Sequence, residues 1–448
     1  MKNYKMGSRF IRLIEFVSIC AFCYVSAMIA AETVSYPIDL PTALRLVGAQ
    51  NLDVRIAQEK LNEAKANQEQ AKLMFFPWVN PGVTYHRVDG NTQAVDGTIL
   101  DVSKQAYTIG GAVTAGVNLG DAYYNELASR QQVAAQAKAL EAQKADSVYL
   151  AASGYFELSK ATALVGVARE AVRISSDYSQ QVQHAIDAGI AFKGDFFRVE
   201  NQMRRNEVLL SQAEEQLRAA SARLAQVLKL SPSTVLVAAE TEISPIVLVS
   251  PQTPLDELLG RAAANRPEVG QASALSESAH TANRGARYAP LIPTLGAQAY
   301  FGGLGGGKNG SWGNFENTFD GQVGLSWRIG PGGLFDRSRI RSTGSRARAS
   351  DLQVEKVREE VARQVVETHS HVQSVAAQLE ITHHALSDAA QAFKLSRDRR
   401  EFGVGIVLET IQSEQDLTRT RSDYVTLLAE QNKAQYALLH ALGDRPDK

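Results

Sequence analysis

Gly302 to Lys308 has the spacing Gly-x-x-x-x-Gly-Lys, which after a strand cradles phosphates on backbone N–H groups. The chemistry fails one residue later. Asn309 stands where a Ser or Thr hydroxyl would hold magnesium, and Gly310-Ser-Trp-Gly cannot open a helix, so a flexible loop between strands is expected. Histidine offers metal chemistry, but His369 and His371 are two apart and His383 and His384 adjacent, which places neither pair on one helix face. Solvated helix surface is expected for all four. Arginine is dense from Arg337 to Arg348, where a headgroup or phosphate contact competes with a plain solvated helix start, and the plain reading is preferred. No nucleophile, base and acid converge, so neither enzyme activity nor a cofactor or metal is expected. Two carboxylates remain. Asp195 and Glu409 each lie six residues after a glycine that suits the end of a helix, Gly189 and Gly403, and each opens a return helix where the macrodipole favours negative charge.

Those turns must be held by long helices. In the limb after Gly189, Val199, Met203, Asn206, Leu210, Ala213, Leu217, Ala220, Leu224 and Val227 step by alternating fours and threes, a heptad seam. The limb before it has the same spacing in Val148, Ala151, Tyr155, Leu158, Thr162 and Val165, so the two helices zip antiparallel with Gly189 at the turn. Asp121 to Asp187 alone would reach about 100 Å at ~1.5 Å per residue, beyond any compact domain. A constant offset then places Asn51 on Asn265, Gly189 on Gly403, Asp195 on Glu409, Glu200 on Glu414 and Leu228 on Leu442. That is a duplication, and the copied seam (Leu417, Thr420, Tyr424, Leu427, Gln431, Ala434, Leu438, Ala441) keeps the spacing with few identities.

Ahead of each helical hairpin the period changes to two. Tyr107, Ile109, Val113, Ala115 and Val117 alternate with Thr108, Thr114 and Asn118, while Phe319, Val323, Leu325, Trp327 and Ile329 alternate with Asp320, Gln322, Ser326 and Arg328. Strands of roughly 8 to 13 residues, apolar on one face with nothing in the sequence to cover them, match the ~9–11 residues of a membrane-spanning strand. Four strands cannot close a membrane barrel, since about eight is the smallest number known, so the chain must oligomerise. Three copies give twelve strands and room for a pore.

Residues 1–31 read as a secretory signal peptide: Lys2, Lys5, Arg9 and Arg12 precede an apolar run from Phe16 to Ala30. Both cysteines, Cys20 and Cys23, fall inside it, and Ile19 and Phe22 stand where a lipoprotein signal needs a small residue, so lipid attachment is not expected. A formal net charge of −1 recommends no nucleic-acid partner. The expected organisation follows. Repeat 1 spans 32–232, with a β-hairpin at about 79–119 and a helical hairpin at about 121–230. A proline-rich connector, partly strand and with a β-branched run at Ile246 to Val249, covers 233–253. Repeat 2 spans 254–448, with a β-hairpin at about 294–329 and a helical hairpin at about 336–443 turning at Gly403.

At this level the chain resembles the TolC-like outer-membrane efflux proteins. The resemblance rests on the architecture and on Gly189-Ile-Ala-Phe-Lys-Gly-Asp195 recurring as Gly403-Val-Gly-Ile-Val-Leu-Glu409. It implies an α+β membrane protein: a homotrimer with a twelve-stranded β-barrel in outer-membrane lipid, continued by a helical tunnel through the periplasm. It also implies a periplasmic adaptor protein and an inner-membrane transporter as partners. The turns at Gly189-Ile190 and Gly403-Val404-Gly405 would be the tip that meets the adaptor. Acidic residues matching Glu409, with Asp195 beside them, would line the narrow entrance; some members have a second acid three residues later, where this chain has Gln412. One carboxylate from each of three chains would set a local negative potential favouring cations. The alternative is a structural coiled-coil protein of the envelope whose hairpins form a soluble sheet.

Overall fold

The computed structural model describes residues 35–231, 233–240, 242–401 and 405–444. The expected leader and the tip residues Gly403 and Val404 lie outside the described residues. Strand β1 (Ser35–Ile38) leads into helices α1 (Leu40–Gln50) and α2 (Leu52–Leu73). Asp39 accepts from the Thr42 N–H at 3.0 Å and Asn51 from the Asp53 N–H at 2.8 Å, so each helix start has the side-chain acceptor its first turn lacks. Strands β2 (Trp78–Gln93) and β3 (Ile99–Asn118) come next. Asn118 then caps α3 (Leu119–Asp187), 69 residues long, by accepting from the Asp121 N–H. Its far end closes on Gly189 at φ +74°, with the Ile190 N–H reaching back to the Ala185 carbonyl at 2.9 Å and the Gly189 N–H to Ile186 at 2.8 Å. That pair of bonds is a Schellman ending, which needs the left-handed residue that glycine supplies. Helix α4 (Lys193–Val227) returns.

The same order recurs after β4 (Val235–Ala238): α5 (Leu255–Asn265), α6 (Pro267–Tyr288), β5 (Thr294–Lys308), β6 (Glu316–Ser326), α7 (Arg337–Glu401) and α8 (Val407–Ala441). Near the sheet the helices stand side by side in the order α2, α3, α6, α7. Farther along, α4 lies against α3, α8 against α7, and α3 against α8. Two cores sit where the short helices meet the long ones. Val47, Leu158, Leu224, Leu228 and Leu236 form one, and Leu258, Val365, Leu438 and Leu442 the other. Each buried leucine contributes about 1.5–3 kcal/mol.

The connector is partly strand, but not where the β-branched run suggested. The strand is Val235–Ala238, paired parallel with β1 from Ser35↔Val235 to Ile38↔Ala238. Ile246 to Val249 is irregular, because two side chains of α8 take its backbone bonds. Asn432 accepts from the Ile246 N–H at 2.7 Å, and Gln435 accepts from Leu248 at 3.0 Å and Val249 at 2.8 Å. Gln435→Leu should therefore strand two N–H groups at a cost of about 2–6 kcal/mol, at ~1–3 kcal/mol for each buried group left unpaired. Hydrogen exchange at residues 248 and 249 reads it directly; unchanged protection would mean water replaces Gln435.

β2, β3, β5 and β6 form one antiparallel sheet in that order. The register sets Val83 beside Ile109 and Leu295 beside Leu325 on one face, and Thr84 beside Thr108 and Gln298 beside Gln322 on the other. The strands run longer than the 8 to 13 residues expected, reaching 16 in β2 and 20 in β3. β6 instead stops at Ser326, which leaves Trp327 and Ile329 beyond it. The glycine tract expected to be a loop is the second half of β5. Its glycines are places where a Cβ has no room: at Gly303 it would meet the Phe315 ring at 2.0 Å, and at Gly305 the Tyr107 ring at 2.6 Å. Tyr107 stacks on Phe315, and Tyr85 on Trp312, so aromatic rings cover the glycines and replace their missing side chains.

Candidate functional site

The far ends of the two helical hairpins bring the predicted site together in part. Ile190 is 81% exposed, and Phe192 and Ile406 project likewise, so both turns present apolar side chains to solvent. Gly405 is half-buried against α7, its N–H bonded to the Arg399 carbonyl at 3.1 Å. Asp195 and Glu409 occupy the same place, third residue of α4 and of α8, inside the first turn where the macrodipole favours a carboxylate. Neither caps by a side-chain bond, since the residues at the cap are Phe192 and Ile406. Each carboxylate has an arginine instead. Asp195 pairs with Arg198 at 3.1 Å within its own helix, whereas Glu409 reaches across to Arg399 of α7 at 2.9 Å. Gln412 is exposed one turn on.

Between the hairpins lies a polar junction. Arg400 of α7 stacks over the Tyr178 ring of α3, 4.1 Å from its centre, and donates to Gln181 at 2.5 Å. Burial pushes the Tyr178 hydroxyl above its ordinary pKa. Beneath it, Glu414 of α8 is only 4% exposed. Its carboxylate accepts from Gln202 and Asn206 of α4, both at 3.2 Å, and from Thr418 at 3.1 Å. Asn206 extends the network to α3, donating to the Ala171 carbonyl at 3.1 Å. The partners are neutral, so burial dominates and raises the Glu414 pKa, with the three hydrogen bonds opposing. A cavity of about 280 Å³ opens beside this layer, with Arg173, Arg400 and Arg421 in its wall.

Sequence reasoning missed Glu414 as the centre of this layer. Asn206 was visible as a polar residue in an apolar seam, the one signal that a buried polar partner existed. One of the four histidines differs from the expectation, while His371 stays exposed. His369 is buried rather than solvated, and His371 bonds Glu430 of α8 at 3.1 Å, because α7 packs against α8 through this stretch. His383 and His384 are exposed, and no group of three His, Cys, Asp or Glu side chains suits a metal ion among the described residues. Of the arginine-rich start of α7, Arg339 is tied to Asp121 at 2.9 Å, while Arg341 and Arg348 are exposed.

The second feature that must have a function is the open sheet. Val83 is 70% exposed and Val323 76%, and Phe301, Phe319 and Leu325 share their uncovered face. No described helix is long and apolar enough to cross a membrane. An uncovered apolar sheet face of this extent marks an interaction surface.

Curated protein sequences provide no match. Solved structures do. A membrane protein from Pseudomonas aeruginosa superposes with TM-score 0.79 at 16% identity, covering 92% of each chain. VceC, an outer membrane protein of Vibrio cholerae, gives 0.75 at 17% identity over 90% of this chain and 96% of its own. The Campylobacter jejuni CmeC outer membrane channel gives 0.76 at 12%, over 90% and 85%. Long helices and a four-stranded sheet in this arrangement define the fold, which is TolC-like. Residues 258–444 match the family described as Outer membrane efflux protein.

Proposed function

We propose that three copies of this chain form the passive exit duct of a tripartite efflux or type I secretion system. Each copy contributes its four strands to one twelve-stranded barrel in the outer membrane, and the helices continue as a periplasmic tunnel. The observation that carries this is the uncovered apolar face around Val83 and Val323, on a sheet of too few strands to close alone. The two repeats, 32–232 and 254–448, give the assembly a near-sixfold wall. An inner-membrane transporter and a periplasmic adaptor supply the cargo. The adaptor meets the tip at Gly189-Ile190 and Gly403-Val404-Gly405, where the exposed Ile190 and Ile406 favour an apolar protein contact over water.

Glu409, with Asp195 and Gln412 nearby, faces the entrance in this assembly, and its negative field is moderated by Arg399. Glu409→Ala should weaken the cation dependence of conductance, and Arg399→Ala strengthen it. An exposed pair is worth up to ~1 kcal/mol, so a two- to fivefold shift in divalent block is about the limit. Unchanged block across a divalent titration in both variants removes Glu409 from the gate. The duct itself is tested by planar-bilayer conductance of detergent-extracted protein, with oligomer mass taken on the same sample. Discrete channel steps from a trimer support it; a soluble, non-conducting monomer returns the hairpins to an ordinary sheet.

A further inference from the structure

The helix order leaves α2 and α7 at the two edges of the chain's helical wall, each with a face that nothing among the described residues covers. α2 packs on α3 through Val54, Leu61 and Ala71, and the stripe turned away from that contact has Arg55, Glu59 and Glu63 at intervals of four. α7 buries Ala347 toward α6, and its opposite stripe includes Arg348, Leu352, Lys356 and Glu359. The six charged residues are all exposed, and none is in an ion pair within the described residues. Two apolar side chains stand among them: Ile56 is 53% exposed and Leu352 64%.

Contacts inside the chain fix the heights of these stripes. Gln68 of α2 donates to Glu126 of α3, Ser278 of α6 to the Ala128 carbonyl of α3, and Thr343 of α7 bonds Asn283 of α6. Carried across these antiparallel neighbours at ~1.5 Å per residue, the height of Gln68 falls at about residue 346 of α7. α2 runs toward the sheet and α7 away from it, so counting down from there sets Arg55 level with Glu359. Glu59 is level with Lys356, and Glu63 lies within one helical turn of Arg348. Read from the sheet outward, α2 presents minus, minus, plus, and α7 presents plus, plus, minus.

We infer that α2 of one copy docks against α7 of the next through this ladder, Glu63 to Arg348, Glu59 to Lys356 and Arg55 to Glu359, with Ile56 and Leu352 covered in the seam. The inference rests on the three-copy reading above and adds which edges meet and what selects their pairing. α7 and α2 are the repeat equivalents of α3 and α6, which already pack side by side within the chain, so the same side-by-side contact would close the ring. The ladder also sets direction. Two α2 edges brought together would oppose Glu59 and Glu63 to one another, and two α7 edges Arg348 and Lys356, so head-to-head pairing is disfavoured.

The test is charge reversal with rescue on the full-length chain. E59K with E63K should lose the trimer in detergent, as should R348E with K356E, and the four substitutions together should restore it. Far-UV circular dichroism on each sample separates loss of assembly from loss of helix. Half-reversed variants that trimerise like the wild type overturn the ladder, as does failure of the fourfold variant to recover. E63C with R348C, in a chain whose Cys20 and Cys23 are serine, should form disulfide-linked dimers and trimers on oxidation. Absence of that linkage in a chain that still trimerises overturns the pairing and leaves the duct intact. A wild-type chain that is not a trimer overturns the duct itself.

Discussion

Val323→Arg should abolish insertion of the protein into the outer membrane, whereas Gln322→Arg one residue away should leave it intact. Both side chains are exposed in the single chain. If the sheet faced water on both sides, the two substitutions would cost the same, within the ~0.5 kcal/mol usual for surface changes. On the barrel reading they diverge, because the pleat sends Val323 to the lipid and Gln322 to the lumen. An arginine facing lipid near the bilayer midplane costs about 2–4 kcal/mol, and the trimer would contain three, so about 6–12 kcal/mol opposes assembly. That is comparable to the whole stability of an ordinary domain. Membrane fractionation and oligomer mass of the two variants give the result, and equal behaviour would mean that the apolar face meets no lipid.

How far such faces are legible in sequence depends on the range of the interaction that decides them. The seam through Leu158 and Leu224 is written in local spacing, and both leucines are fully buried as that spacing requires. The alternation of Val323 with Gln322 is likewise local, and the sheet keeps it. Strand ends are less visible. The tract from Gly302 to Lys308 lacks side chains to alternate, so its strand character depends on Tyr107 and Phe315, one of them some two hundred residues away in the chain. The run at Ile246 to Val249 has strand composition but no free edge, since Asn432 and Gln435 hold its N–H groups. Glu200 and Glu414 look like copies in the sequence. Only Glu414 is buried, because Gln202 and Asn206 converge on it from the other repeat. Where a polar side chain finds its partner across the duplication, periodicity carries no trace of it.

Glu414→Gln should stabilise the helical part at neutral pH and flatten its pH dependence. Burial lifts the Glu414 carboxyl above its ordinary value of 4.5, so the folded chain retains a proton that the unfolded chain releases. Stability from this group is complete below about pH 4.5 and is lost as pH rises through the folded-state value, where a carboxylate without a cationic contact must be held among amides and a hydroxyl. Glutamine keeps an acceptor for Asn206 and Thr418 and has no charge to bury, so the variant should melt above the wild type at pH 8. Glu414→Ala removes the acceptor as well, and should lower stability at every pH. Arg173, Arg397, Arg400 and Arg421 in the adjoining cavity oppose this expectation by favouring the ionised form. Three of the four are already engaged: Arg173 with Glu170 and Asp177, Arg400 with Gln181 and Tyr178, and Arg421 through its attraction to Glu170. Thermal unfolding of the three proteins between pH 4.5 and 8 decides. If the glutamine variant melts below the wild type at pH 8, the arginines prevail and Glu414 acts as a charged tie between the hairpins. If it melts above and loses the slope, the junction between α4 and α8 is held best when Glu414 is protonated.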